Sequence, residues 1–159
     1  MESGHMKKLI AFAAAGLMAA AAPAAAETVR VATEGAYPPF NMTDASGALI
    51  GFDVDIAKAL CEEMKVECEI VAQDWDGIIP GLVANKYDAI IASMSITEER
   101  MQTVDFTDRY YSNYLRVVAK KGSDIGGADD LDGKDVGAQR ATVAASWAED
   151  NLGRRSGVK

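Results

Sequence analysis

The sequence predicts an α/β protein built on a parallel sheet, and three observations carry that expectation. A β-branched run at Thr28 to Thr33 is stopped by Gly35, Pro38 and Pro39. Phe52, Ile56, Leu60 and Met64 recur every fourth residue and lay an apolar stripe along a helix. A second strand at Cys68 to Ala72, a second helix carrying Ile78, Ile79, Leu82 and Val83, and a mostly apolar strand at Tyr87 to Ala92 then follow. Strand, helix, strand, helix, strand is the order of a doubly wound sheet.

Taken in order, the elements also place the polar residues. Tyr37 falls on a loop at the C-terminal end of the first strand, and Thr43 to Gly47 reads as a hairpin tip. Asp53 and Asp55 complement the positive end of the first helix, whose stripe should pack on the sheet. Asp74 is placed to cap the second helix, and Pro80 must lie in its early turns or kink it. Thr97 reads as the N-cap of a short helix with Glu98 and Glu99 in its first turn. Asn113 to Lys120 reads as a long strand, and Asp129 to Gly133 as a turn or one helical turn. Asp135 to Ala138 reads as another strand, and Thr142 as the cap of a last helix to about Leu152. The Gly/Asp-rich stretch from Gly122 to Asp132 is the expected domain boundary.

The N-terminus carries an export signal. Lys7 and Lys8 precede an uncharged run from Leu9 to Ala22, and Ala24-Ala25-Ala26 offers a small-residue cleavage site before Glu27. That run is shorter than the roughly 20 residues a helix needs to cross a bilayer, so no membrane insertion is expected after cleavage. Residues 1–5 read as vector-derived or as a misplaced start ahead of Met6. Loss of Lys7, Lys8 and Glu2 with the leader takes the formal charge from -8 to -9. So acidic a chain, with no Lys/Arg stripe, excludes nucleic acid as a partner. Its only histidine, His5, precedes the leader, so histidine catalysis and His-ligated zinc are excluded from the mature chain.

Cys61 and Cys68 survive cleavage, and an exported protein meets an oxidising compartment in which such a pair can close. A local disulfide is the favoured reading, two buried free thiols the alternative. A metal site is weaker still, because two sulfurs without further ligands leave a tetrahedral set incomplete. No metal and no cofactor is expected.

Four stretches together resemble the periplasmic solute-binding proteins of ABC transporters for polar amino acids (family 3), especially lysine/arginine/ornithine- and opine-binding members. They are Gly51-Phe52-Asp53-Val54-Asp55-Ile56 with the cysteine pair, Asp74-Trp75-Asp76-Gly77-Ile78-Ile79-Pro80-Gly81-Leu82, Asp88-Ala89-Ile90-Ile91, and Ser93-Met94-Ser95-Ile96-Thr97-Glu98-Glu99-Arg100, followed by Phe106-Thr107 and Tyr110-Tyr111. The resemblance spans roughly Thr28 to Leu152. It implies the type II periplasmic-binding-protein fold, with lobe one nearly complete (27–121, including a crossover strand) and lobe two only begun (122–159), behind the leader at 1–26. The return crossover and the acid that anchors the ligand's α-ammonium would lie in the part of lobe two not found here. The tail Arg154 to Lys159 does not resemble the family's continuation, and a truncation or a frameshift would each produce it.

The chemistry of the expected ligand can be set beside that resemblance. A free amino acid offers a carboxylate and an ammonium, so its receptor needs a forked cation for one and converging oxygens for the other. Arg100 after the Ser-x-Ser loop fits the first need, and Ser93 and Ser95 the second, with Met94 between them. The resemblance implies the same roles for Arg100, Ser93 and Ser95; without it they read as a surface arginine and turn-forming serines. It likewise implies that Tyr37 and Trp75 line the pocket, where aromatic faces hold an aliphatic stem or a cationic head. Glu34 matches an acidic position of basic-amino-acid binders, although the residue expected there is the shorter Asp; the other reading is a solvated acid. Thr142 matches a turn that offers hydroxyl and N–H groups to the carboxylate at a helix N-terminus. Ala92 replaces a frequent serine, and Arg140 and Val143 depart from the commonest pattern.

The function expected is therefore non-catalytic capture of a polar, basic amino acid (lysine, arginine, ornithine, histidine or an opine) in the periplasm and its delivery to a membrane permease. Two alternatives stand beside it: a dehydratase-type enzyme on the same fold, and a truncated product without robust binding.

Overall fold

A computed structural model describes residues 28–152; the leader, the cleavage site and the basic tail fall outside the described residues. β1 (Thr28–Thr33) is the centre of a three-stranded parallel sheet. β5 (Glu67–Ala72) pairs along one side of it, with Val31 opposite Ile70, and β6 (Ala89–Ile90) along the other, with Val31 opposite Ala89. The parallel return to β5 runs through helix α1 (Phe52–Met64), and the one to β6 through α2 (Trp75–Val83). A second, antiparallel sheet of β2 (Ala36–Tyr37), β3 (Asn41–Thr43) and β4 (Leu49–Ile50) fills the connection between β1 and α1. The core forms where Ala32, Ile78, Tyr87 and Ala92 meet, with Val71, Trp75, Ile79 and Met94 packed against it.

Local sequence explains the helix ends. Gly51 precedes α1 at φ 121°, and a Cβ there would stand 2.5 Å from the Phe40 carbonyl oxygen, so only glycine fits. Lys65 closes the helix in the left-handed conformation. Cys61 on α1 and Cys68 on β5 are joined as a disulfide, their Cα atoms 6.0 Å apart, so the helix is stapled to the strand it leads into. Beyond β6 come α3 (Glu98–Met101), the single-turn 3-10 helix at Ala128–Leu131 and α4 (Val143–Asn151). Thr97 caps α3 by accepting from the Arg100 N–H, and Thr142 caps α4 by accepting from the Ala145 N–H.

Several expectations are corrected. The face of α1 that packs inward is Asp53, Val54, Ala57 and Cys61, while Phe52, Leu60 and Met64 are exposed. A strict four-residue spacing precesses about 40° at each step of a 3.6-residue helix, so the expected stripe winds off the sheet; the 54, 57, 61 set stays on one face. Tyr37 lies in β2 rather than in a loop. Asp74 holds the N-cap position of α2 without a side-chain hydrogen bond to it. Pro80 is the sixth residue of α2, beyond its first turn, where it withholds one helical N–H. The third strand is limited to Ala89–Ile90, with single hydrogen bonds from Asp88 to Arg30 and from Ile91 to Ala32 on either side. Asn113 to Lys120 and Asp135 to Ala138 are not strands. A strand needs a ladder partner, and among the described residues none pairs with either segment; Tyr114 and Val118 stand 81% and 89% exposed.

Candidate functional site

Parallel strands all end on one side of a sheet, and the loops that leave them gather there. Glu34 directly follows β1, Trp75 opens α2 just beyond β5, and Ser93 and Ser95 follow β6. Across from them stands the turn that leads into α4. Between the two lies a cavity of about 200 Å³, lined by Glu34, Tyr37, Trp75, Ser93, Ser95, Arg100 and Thr142. Seven of the eight residues singled out in the sequence thus share one space. Met94 does not; it packs against the core and lines neighbouring hollows. The volume is below the roughly 300–1,000 Å³ of pockets for drug-sized ligands, which suits a small metabolite.

Arg100 is held by its surroundings. Its Nη1 donates to the Ser95 carbonyl at 2.8 Å, and its Nη2 to the Ala141 carbonyl at 2.9 Å. The guanidinium lies 5.4 Å from the centre of the Trp75 ring, a cation–π contact. Burial lowers the pKa of this group and Glu99 opposes the shift; an arginine nonetheless keeps its charge. Trp75 Nε1 donates to the same Ala141 carbonyl at 2.9 Å. Two further contacts seat that turn: Gln139 Nε2 donates to Glu34, and Arg140 pairs with Asp76.

The remaining lining residues differ in what they offer. Tyr37 stacks on Phe40 with ring centres 5.1 Å apart and is 41% exposed, so it forms an aromatic rim. The Ser93 hydroxyl donates to the Asp53 carboxylate at 3.0 Å, and its backbone N–H donates to the Tyr110 hydroxyl at 2.9 Å. Those bonds direct the hydroxyl proton and the N–H of Ser93 to Asp53 and Tyr110. Thr142 donates to the Gln139 carbonyl at 2.6 Å while capping α4, which brings the N-terminus of that helix to the cavity at Val143 and Ala144.

Asn113, Leu115, Gln139 and Ala144 also line the cavity and were missed in the sequence. Asn113 and Leu115 stand two apart, the spacing that puts side chains on one side of an extended chain. That spacing was the available signal. Among the described residues there is no histidine and no group of three or more His, Cys, Asp or Glu placed to hold a metal.

The sequence pattern of the bacterial extracellular solute-binding proteins, family 3, matches residues 29–154. The chain belongs to this family. It is 47% identical over 150 residues to the L-arginine-binding protein of Pseudomonas aeruginosa, covering 92% of this chain and 58% of that protein. It is 43% identical over 146 residues to the lysine/arginine/ornithine-binding periplasmic protein of Escherichia coli, covering 90% and 56%. The chain therefore spans a little over half the length of these relatives.

Among solved structures, an ancestral arginine-binding protein bound to glutamine superposes with a TM-score of 0.77 at 43% identity, covering 83% of this chain and 59% of that one. An ancestral amino acid-binding protein described as a precursor of cyclohexadienyl dehydratase gives 0.78 at 37% identity, covering 83% and 60%. The arginine-bound form of domain 1 from TmArgBP gives 0.51 at 43% identity, covering 53% and 67%. The fold is that of the type II periplasmic binding proteins, one lobe plus the start of the other.

Proposed function

We propose that this protein captures a basic L-amino acid, arginine in the first instance, in the cavity between the sheet and the Gln139–Ala144 turn. It works without catalysis, in the periplasm, for delivery to the permease of an ABC transporter. The observation that carries the reading is the pairing of Arg100 with Trp75 on one side of a small cavity that Glu34 enters from the end of β1.

The roles divide by charge. Arg100 is the cation for the ligand's carboxylate, helped by the N-terminus of α4 behind Thr142, where free N–H groups and the helix dipole favour an anion. Ser95 and the backbone around Ser93 border the α-carbon end. Tyr37 and Trp75 flank the aliphatic stem, and Glu34 meets the distal cation. In this reading residues 27–121 form lobe one, and residues from 122 on begin lobe two. The export signal at 1–26 and the periplasmic names of relatives support the compartment.

The dehydratase alternative draws on one structural neighbour, whose own description is amino acid-binding; turnover of a prephenate-like substrate would favour it. A domain 1 of a relative has been solved with arginine bound, which supports binding by a chain with little of lobe two. Isothermal titration of the chain lacking residues 1–26 with L-arginine, L-lysine, L-glutamine and L-glutamate tests the reading. The basic pair should bind and glutamate should not.

A further inference from the structure

We propose that Asp53 is a positioning residue that holds two loops of the cavity's sheet-side wall in register. One loop is reached through Asn41 and Gly35, the other through Ser93. The consequence for ligand rests on the binding reading above; the structural part does not.

A first-turn acid on α1 needs only to face the positive end of the helix, and exposed Asp55 does that. Asp53 instead is wholly buried, at 0% exposure. A carboxylate leaves water at a large cost unless donors replace it, and here three donors come from three separate segments. Asn41 Nδ2 donates to Oδ2 at 2.7 Å, the Tyr110 hydroxyl to Oδ1 at 2.9 Å, and the Ser93 hydroxyl lies 3.0 Å from both oxygens.

Two of the donors lead to the lining loops, and Tyr110 braces the second of them. Asn41, itself 0% exposed, accepts the Gly35 N–H at 2.8 Å through its own Oδ1, and Gly35 joins Glu34 to the β2 residue Tyr37. Ser93 holds a left-handed backbone at φ 50°, uncommon for a residue with a side chain. Its hydroxyl bond to Asp53 and its N–H bond to Tyr110 hold that conformation from both ends, and Ser95 follows from it. A buried carboxylate that accepts from both loops fixes the distance between Glu34 and Ser95 before any ligand arrives, which is how preorganisation raises affinity.

Asp53→Asn and Val54→Ala separate positioning from stability, because Val54 is equally buried on the same helix turn and takes no part in this network. With the chain lacking residues 1–26, amide NMR should show the Gly35 and Ser93 resonances moving together in Asp53→Asn and staying in place in Val54→Ala. Titration with L-arginine should show a loss of at least about tenfold in Asp53→Asn, the size expected for a hydrogen-bonded charge, and wild-type affinity in Val54→Ala despite its lower Tm. If Asp53→Asn does not fold, Tyr110→Phe takes its place, and the Gly35 resonance should still shift because Asp53 relays the change. Unmoved Gly35 and Ser93 resonances in a folded variant would overturn the proposal, as would equal affinity losses in Asp53→Asn and Val54→Ala. A wild-type chain that ignores arginine would overturn the binding reading alone, and the amide shifts would still decide the role of Asp53.

Discussion

Arg100 Nη2 donates to the carbonyl of Ala141 at 2.9 Å, and Ala141 stands in the left-handed conformation at φ 58°. The arginine after β6 thus grips the turn that leads into α4. Its Nη1 is anchored on Ser95 and its face on Trp75, so the guanidinium is preorganised rather than free to rotate. A planar fork held in this way is suited to a carboxylate.

Arg100→Ala is expected to weaken arginine binding by about 2 to 5 kcal/mol, the cost of removing one partner of a desolvated charge pair. Arg100→Lys should recover little, because an ammonium cannot replace two parallel N–H donors. Calorimetric titration of both variants checks this, and wild-type affinity in the alanine variant would remove Arg100 from the site.

Glu34 sets the expected side-chain preference. Glu34→Gln should weaken L-arginine and L-lysine more than L-glutamine, since only the cationic ligands lose a charge partner. Competition measurements with the three ligands read the ratio directly. An equal loss for all three would make Glu34 a structural partner of Gln139 and nothing more.

The Cys61–Cys68 bond closes a short loop between α1 and β5. On the chain-entropy model it stabilises the fold by about 2 to 3 kcal/mol. Thiol titration of the chain lacking residues 1–26, oxidised and kept without reductant, should find no free sulfhydryl, and reduction should lower Tm.

Tyr110 gives a pH signature. Burial, helped by the hydrogen bond and the negative charge of Asp53, pushes its phenol up to about 12, from an ordinary value of 10.0. Between those values the unfolded chain gives up a proton that the folded chain keeps. Stability from this group is therefore complete below pH 10 and lost as the pH rises through about 12. Ultraviolet titration should lose its Tyr110 step in Tyr110→Phe while Tyr87, also pushed up by burial, still ionises late, and the variant should lose stability less steeply above pH 10.

Much of this architecture was legible where local signals and tertiary packing agree. Thr97 and Thr142 were recognisable as caps because a short side-chain oxygen just before a helical stretch satisfies one of its first N–H groups. The order of β1, α1, β5, α2 and β6 followed from pattern alone. The stripe on α1 was misread because residue type outweighed angular drift, and small Ala57 and Cys61 let the helix sit closer than Leu60 would. Asn113 to Lys120 has the composition of a strand, but pairing is a property of neighbours, which composition does not report. The site was legible as a set of residues and not as a network. Nothing in the motif around Asp53 told a helix-dipole acid from a buried one, because that distinction depends on Asn41, Ser93 and Tyr110 converging from segments far apart in the chain.

The most direct test of the amino-acid-binding claim is calorimetric titration of the folded chain lacking residues 1–26 with L-arginine, run beside Arg100→Ala. A cavity that joins Arg100, Trp75 and Glu34 predicts saturable binding in the wild type that is lost in the variant. Absence of saturable heat with arginine, lysine, ornithine and histidine at millimolar concentration, from a chain shown to be folded, would contradict it.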